Sequence, residues 1–334
     1  MNDLKTTYLG LPLKNPLVAS SSPLSKNVDS VRQLEDAGAA AVVLYSLFEE
    51  QIRQESLILN KVLNRGANSF PEALTYFPEV EDYNIGPERY LNHLQKIKAA
   101  VDIPIIASLN GSSQGGWLEY AQKIQEAGAD ALELNLYYMA TDLLLTSDTL
   151  EQTQLDLVRQ IKEKLTIPLA VKLSPYYTAF ASFARRITEA GADGLVLFNR
   201  FYQPDLDIVD LKVITNLELS RSEDMRLPLR WIAILSSKIQ TDFALTSGVH
   251  TREDVVKAVM AGANVTMMAS VLLEKGIPHV TTLLKGLENW MDMFQYPSIK
   301  QMHGAMSQQK VEDPAAFERA NYLRILNSMD TDQG

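Results

Sequence analysis

Hydrophobic and polar positions along the chain fall into a unit that recurs four times. An amphipathic stretch closes on Ala-Gly-Ala or a near variant, and a short apolar run ending on a polar residue follows at once. The copies are Asp36-Ala37-Gly38-Ala39 into Ala41–Ser46, Ala127-Gly128-Ala129-Asp130 into Leu132–Asn135, Ala190-Gly191-Ala192-Asp193 into Leu195–Asn199, and Ala261-Gly262-Ala263-Asn264 into Val265–Ser270. A glycine just past a helix accepts the left-handed conformation that stops it, and a buried parallel strand reads as a continuous apolar run. Each copy is therefore the second half of a βαβ unit.

The first halves lie upstream, at Asn15–Ser20, Ile103–Ser108, Ile167–Lys172 and Asp242–Ser247. Three place Pro at or next to the strand's first position, where the missing N–H disturbs the ladder least. The intervening segments predict helices at Asn27 to Ala37, Pro87 to Ala100, Gln114 to Ala127, Leu150 to Leu165, Thr178 to Ala190, Pro228 to Ile239, Arg252 to Ala261 and Pro278 to Phe294. Pro87, Pro228 and Pro278 fit first helical turns. Eight alternating units over about 295 residues suit a (β/α)8 TIM barrel better than a doubly wound sheet, which has fewer strands. With no linker between units, residues 1–294 read as one barrel. Residues 295–334 read as a C-terminal extension packed on it, helical through Pro314 to Asn327 and frayed at Asp330 to Gly334.

Composition removes whole classes of function. The net charge of −10 argues against nucleic acid as a principal partner, because phosphate binding demands a cationic face. No window is long and apolar enough to span a membrane, and Met1–Lys5 lacks a signal peptide's apolar core, so a cytoplasmic protein is expected. Cysteine is absent, which excludes disulfides, iron–sulfur ligation and a thiol nucleophile. His93, His250, His279 and His303 are scattered without metal-binding spacing, so no metal is expected. The run Gly111-Ser112-Ser113-Gln114-Gly115-Gly116 matches neither a Walker nor a dinucleotide fingerprint and reads as a βα loop.

In a barrel, chemistry belongs at the C-terminal strand ends. Read in order these are Ala19–Ser22, Tyr45-Ser46, Ser108–Asn110, Asn135, Lys172–Ser174, Asn199-Arg200, Thr246–Gly248 and Ala269-Ser270. The rim is rich in amides and hydroxyls, holds one lysine, and carries no carboxylate at a strand tip. It suits an extended, polar, partly anionic ligand better than a metal. Small residues at Ser247, Gly248, Ala269 and Ser270 let backbone N–H groups approach a phosphate, although tight turns alone would also use them. Alternation turns Lys172 inward, where a buried ammonium requires an anion. A ligand is the favoured partner, and an ion pair with Glu133 on the adjacent strand is the alternative.

Five segments in order resemble the dihydroorotate dehydrogenase family, nearest its soluble class 1 branch. They are Asn15–Ser20, Glu133–Leu136, Val171–Tyr176, Thr246–Val249 and Tyr296–Gly304. The resemblance covers nearly the whole chain and implies an FMN-binding oxidoreductase that converts dihydroorotate to orotate in pyrimidine biosynthesis. It places Ala19, Ser20 and Ser46 along the flavin, Asn135 near flavin and substrate, and Lys172 beside flavin N1/O2. Ser247, Gly248, Ala269 and Ser270 would cradle the phosphate, while Asn68, Asn135 and Asn199 would grip the substrate. A soluble electron acceptor and a homodimer are implied in the same way.

The chain also departs from the family's pattern. The catalytic base there is a cysteine or serine after strand four, and here Tyr138 stands at that position in Asn135-Leu136-Tyr137-Tyr138-Met139-Ala140. A phenol, with a reference pKa near 10, is a poor base at neutral pH. The strand-two lysine is replaced within Leu44-Tyr45-Ser46, and the glycine-rich loop after strand six is Ser220-Arg221-Ser222-Glu223. Three functions therefore stand: a dihydroorotate dehydrogenase using Tyr138, an FMN oxidoreductase for a different small substrate, or a catalytically silent flavin-binding barrel.

Overall fold

The computed structural model describes residues 2–48, 87–111, 117–215, 217–319 and 322. A hairpin of β1 (Thr6–Tyr8) and β2 (Leu11–Leu13) leads into β3 (Leu17–Ala19), α1 (Val28–Asp36), β4 (Ala41–Val43) and β5 (Leu47–Phe48). Then come α2 (Pro87–Lys98), β6 (Ile105–Asn110), α3 (Trp117–Glu126), β7 (Ala131–Asn135), α4 (Ser147–Lys164), β8 (Leu169–Leu173), α5 (Phe180–Glu189) and β9 (Gly194–Leu197). A second hairpin, β10 (Asp205–Asp207) and β11 (Lys212–Ile214), precedes α6 (Arg226–Leu235), β12 (Asp242–Thr246), α7 (Arg252–Ala261), β13 (Val265–Met268), α8 (Ser270–Lys275), α9 (His279–Met293) and α10 (Ile299–Met302).

Parallel pairing runs β3-β4-β6-β7-β8-β9-β12-β13 and returns to β3, closing an eight-stranded barrel with helices outside, as the repeat predicts. β5 prolongs the second strand and pairs with the end of β6 through Leu47↔Leu109. All four repeat glycines, Gly38, Gly128, Gly191 and Gly262, have φ between 94° and 116°, the left-handed geometry that lets each helix turn directly into its strand.

Alternation divides the strand residues into two shells. Val18, Val43, Ile106, Ala131, Ala170, Val196, Ala244 and Met267 fill the barrel interior together with Tyr8, Leu9 and Leu13 of the first hairpin. Leu17, Val42, Leu132, Val171, Leu195, Phe243 and Met268 pack outward against the helices. Burying a large apolar side chain contributes roughly 1.5–3 kcal/mol, so the outer shell dominates the fold's stability. The hairpin seals the barrel floor: Leu9 N–H donates to Asp242 Oδ2 at 2.6 Å, and Asn264 Nδ2 donates to the Thr7 carbonyl at 3.0 Å.

Helix boundaries differ from the sequence reading where local caps intervene. α4 starts at Ser147, ahead of Leu150, because Thr146 Oγ1 accepts the Thr149 N–H at 3.2 Å. α6 starts at Arg226 because a 3₁₀ turn, Ser222–Met225, feeds into it, and it ends at Leu235, short of Ile239. Where a helix is predicted from Pro314 to Asn327, a 3₁₀ turn, Pro314–Phe317, is followed by extended Glu318, Tyr322 is helical, and the rest of that stretch beyond residue 319 lies outside the described residues. Residues 295–319 otherwise lie along α6 and α7, with Gly304, Met306 and Gln308 N–H groups donating to the carbonyls of Val259, Met260 and Ala233.

Candidate active site

The barrel's C-terminal mouth holds a cavity of about 490 Å³. Ser20, Ser46, Asn135, Lys172, Asn199, Ser247, Gly248, Ala269 and Ser270 all line it. Two of the other sequence-selected residues stand elsewhere. Ala19 packs in the outer shell, because alternation in β3 turns its neighbours Val18 and Ser20 inward. Tyr138, 37% exposed, lines an adjoining cavity of about 400 Å³ with Met139, Ser174, Tyr177 and Phe201. Asn68 lies outside the described residues.

Lys172 marks the inner end of the cavity. It is 9% exposed on the inward face of β8, and its Nζ lies 3.6 Å from Glu133 Oε1. The carboxylate foreseen as the alternative partner is thus present, and the lysine also lines the cavity. Asn135 pairs with Lys172 across β7 and β8, and its Oδ1 is buried without a hydrogen-bond partner among the described residues. Asn199 Nδ2 donates to the Lys172 carbonyl at 3.3 Å, tying the end of β9 to β8.

The opposite end is built from hydroxyls and small residues. Gly248 N–H donates to Ser220 Oγ at 3.2 Å, and Ser220 Oγ donates to Ser270 Oγ at 2.8 Å. Ser220 N–H also donates to Ser270 Oγ, at 3.0 Å. With both acceptor sites of Ser270 engaged, its own O–H is left to donate toward the cavity. Ser247 and Gly248 both have positive φ, 73° and 81°, and a Cβ on Gly248 would stand 2.5 Å from the Met225 backbone nitrogen. Only glycine fits there. Asp254 anchors the turn from below, its Oδ2 accepting from Ser222 Oγ at 2.7 Å and from the N–H groups of His250 and Thr251 at 3.0 and 2.9 Å.

The strand-two position that carries a lysine in the family's pattern is Tyr45 here. Tyr45 turns away from the cavity and meets Tyr90 edge-on at 5.2 Å, and burial pushes its phenol up to about 12. Beside it, Ser46 Oγ forms hydrogen bonds with Ser108 Oγ at 2.8 Å and Ser21 Oγ at 3.3 Å. An aromatic cluster joins the two cavities, Tyr137 lining the first and Phe201 and Tyr176 the second. Tyr137 stacks on Phe201 at 4.3 Å, and Tyr176 meets Phe201 edge-on at 5.2 Å. Burial raises the Tyr137 phenol above its ordinary value, a rise partly offset by a backbone hydrogen bond from Tyr202.

Sequence reasoning did not select Asn110, Tyr137, Tyr202, Ser220 or Arg200, all of which line the cavity. Asn110 and Tyr137 carried a usable signal, being in inward phase with Ser108 and Asn135. Tyr202 carried none, since it follows an irregular loop. No group of three or more metal-ligating side chains occurs among the described residues. His93 instead donates from Nε2 to the Ser25 carbonyl at 2.8 Å.

The dihydroorotate dehydrogenase family profile matches residues 82–291, more than half of the chain. The chain belongs to the dihydroorotate dehydrogenase family. Members are oxidoreductases acting on CH–CH groups, and this protein is an enzyme of that class. It is 27% identical over 314 residues to the dihydroorotate dehydrogenase B (NAD(+)) catalytic subunit of Thermoplasma acidophilum, covering 91% of this chain and 99% of that one. It is 25% identical to the NAD-dependent dihydropyrimidine dehydrogenase subunit PreA of Escherichia coli, over 90% of this chain and 76% of that one. A putative dihydroorotate dehydrogenase A (fumarate) of Aeropyrum pernix is also 25% identical, over 90% and 97%. These relatives thus differ in the substrate that their names carry. No helix among the described residues is long and apolar enough to cross a membrane.

Proposed function

We propose that the protein is an FMN-dependent oxidoreductase interconverting a CH–CH bond and a C=C bond in a small ring substrate. Dihydroorotate, oxidised to orotate in de novo pyrimidine biosynthesis, is the first candidate. The observation that carries this reading is convergence: nine residues selected from the strand ends line one cavity, with a cation at one end and a hydroxyl-rich turn at the other.

The residues present fit FMN. The Gly248 turn, where a Cβ would meet backbone, and the outward-donating Ser270 hydroxyl suit a phosphate. Lys172 and the unpartnered Asn135 Oδ1 suit the polar edge of an isoalloxazine, one as cation and one as acceptor. FMN, when bound, supplies the two-electron acceptor. The same family likeness carries a soluble electron acceptor, a cytoplasmic location and a homodimer.

The chain's own residues orient substrate and handle protons. Asn135 and Asn199, with Asn110 beside them in the lining, are amides placed to hold a ring substrate against the cofactor. Oxidising dihydroorotate requires a protein group to take a proton from C5. Tyr137 reaches the cavity, and a phenol's ordinary pKa near 10 keeps it protonated at neutral pH, so it is placed to donate a proton rather than accept one. That observation favours a second reading, reduction of a C=C bond in a different small substrate, with Tyr137 as the acid in the place foreseen for Tyr138.

The absorption spectrum of the purified protein, followed by anaerobic titration with dihydroorotate, separates these readings. A flavin band bleached by dihydroorotate supports the first. A flavin band unmoved by dihydroorotate at any pH, yet reducible by dithionite, removes that substrate and leaves the second. Protein that takes up no flavin overturns both.

A further inference from the structure

Glu133 is a fully buried carboxylate on a barrel strand that the proposed chemistry does not use. It lies in the middle of β7, its side chain turned into the barrel between Ala131 below and Asn135 above. It is 0% exposed, and neither carboxylate oxygen accepts a hydrogen bond from a described residue. An ionised carboxylate without hydrogen bonds in a dry interior is costly, so its retention calls for a cation. The cation present is Lys172, at 3.6 Å, too far for a good hydrogen bond and close enough for strong attraction. Asp242, at the barrel floor, is already satisfied by the Leu9 N–H and the Asn264 amide, and the groups next to Glu133 are neutral. Ser108 is opposite Glu133 on β6, Ala170 is opposite on β8, and the Tyr8 hydroxyl below is itself buried without a partner among the described residues. The Glu133 charge reaches Tyr8, where it adds to burial in raising the phenol.

The order along the barrel axis is therefore carboxylate, ammonium, cavity. Lys172 is on the strand that pairs with β7, and its ammonium stands at the boundary between the sealed interior and the mouth. A single buried positive charge there would draw electron density in the cofactor strongly toward itself. A carboxylate directly behind it converts that charge into a dipole whose field is weaker at the cavity.

We infer that Glu133 is a positioning residue for Lys172: it anchors the ammonium at the inner end of the cavity and tempers the positive field that bound FMN experiences. The inference rests on the reading of the cavity as a flavin site. It assigns no chemistry to Glu133 itself, which touches neither cofactor nor substrate. Its consequence is that the redox equilibrium of the bound flavin is set by the pair, with the carboxylate holding it toward the oxidised form.

The test compares wild type, Glu133→Gln, Glu133→Asp and the double variant Glu133→Gln/Lys172→Met in the FMN-loaded protein, reading the flavin midpoint potential by anaerobic dye equilibration. Glu133→Gln is expected to shift the equilibrium toward the reduced form at least tenfold, about 30 mV for a two-electron couple. Glu133→Asp, which keeps the charge, is expected to stay within a factor of about three of wild type. A Glu133→Gln protein that binds FMN normally and has the wild-type potential overturns the inference, because a merely structural carboxylate would not move it.

Thermal unfolding of the flavin-free proteins supplies the second readout. Glu133→Gln and Lys172→Met each strand a buried charge and are expected to lower the midpoint by roughly 5 °C or more, with recovery in the double variant. Additive losses in the double variant overturn the pairing. Wild-type protein that takes up no FMN brings down the reading of the site instead, and the unfolding cycle then decides the pair.

Discussion

Asp254→Ala should unfasten the turn at which the phosphate is proposed to bind. In the folded protein Asp254 Oδ2 accepts three hydrogen bonds, from Ser222 Oγ, His250 N–H and Thr251 N–H, and Asp254 is buried. It also completes a capping box, Thr251 Oγ1 accepting the Asp254 N–H at 3.3 Å. A hydrogen bond to a charged acceptor contributes about 1.5–3 kcal/mol, and a lost cap alone costs about 1 kcal/mol. The three bonds share one oxygen and water can enter the space left by truncation, so the sum is not additive. A net loss of about 3 kcal/mol is expected, with Asp254→Asn losing about half of that because its carbonyl oxygen still accepts.

Urea unfolding at fixed pH measures this as a lower midpoint at unchanged slope. FMN affinity should fall in parallel, since Ser222 and His250 flank Ser220 and Gly248. A loss under about 0.5 kcal/mol for Asp254→Ala, or a loss of stability with wild-type FMN affinity, would refute the reasoning that Asp254 holds the turn in place.

Other substitutions test other links. Gly248→Ala places a methyl 2.5 Å from the Met225 nitrogen at φ 81°, so FMN affinity measured by fluorescence quenching should drop at least tenfold; unchanged affinity would remove the turn from the binding site. Tyr137→Phe keeps the stack on Phe201 and removes the hydroxyl, so turnover of a reducible substrate should fall roughly 100-fold with FMN binding intact. If Tyr138→Phe instead produces that loss, the acid lies on the neighbouring residue. Burial holds His303 below the ordinary imidazole value of 6.5, so the unfolded chain binds this proton more readily than the folded one. Stability should therefore decline as pH drops below about 6.5, and His303→Gln should flatten that part of the urea-midpoint profile.

The parts of the fold encoded locally were the parts legible in the sequence. A left-handed glycine followed by an apolar run needs nothing beyond its own segment, so the four repeats fixed the strand order and the sidedness of the rim. Counting from a motif and following alternation select different tyrosines. The family pattern points to Tyr138, which lines the adjoining cavity, whereas the inward phase of Asn135 passes over buried Leu136 and continues at Tyr137, which with Tyr202 lines the Lys172 cavity. Ala19 is likewise out of phase with Ser20, which lines the cavity.

Contacts between strands were less visible. The approach of Glu133 to Lys172 depends on the stagger of β7 against β8, where Glu133 opposes Ala170 and Lys172 opposes Asn135. Periodicity gives each residue a face but not a height. The hairpin of β10 and β11, with Ile208, Val209 and Leu211 exposed, breaks the inside–outside rule and carries no helix or barrel-strand period. At Pro314 a helix-compatible composition yields only a 3₁₀ turn. The Arg230 guanidinium there captures the Phe317 and Glu318 carbonyls, at 2.7 and 3.3 Å, and the chain turns extended at Glu318.

Equilibrium titration of the purified, flavin-stripped protein with FMN tests the central claim most directly. The account predicts saturable binding of one FMN per chain, weakened at least tenfold by Gly248→Ala and retained in Tyr138→Phe. Absence of saturable binding, or binding indifferent to Gly248, would contradict it.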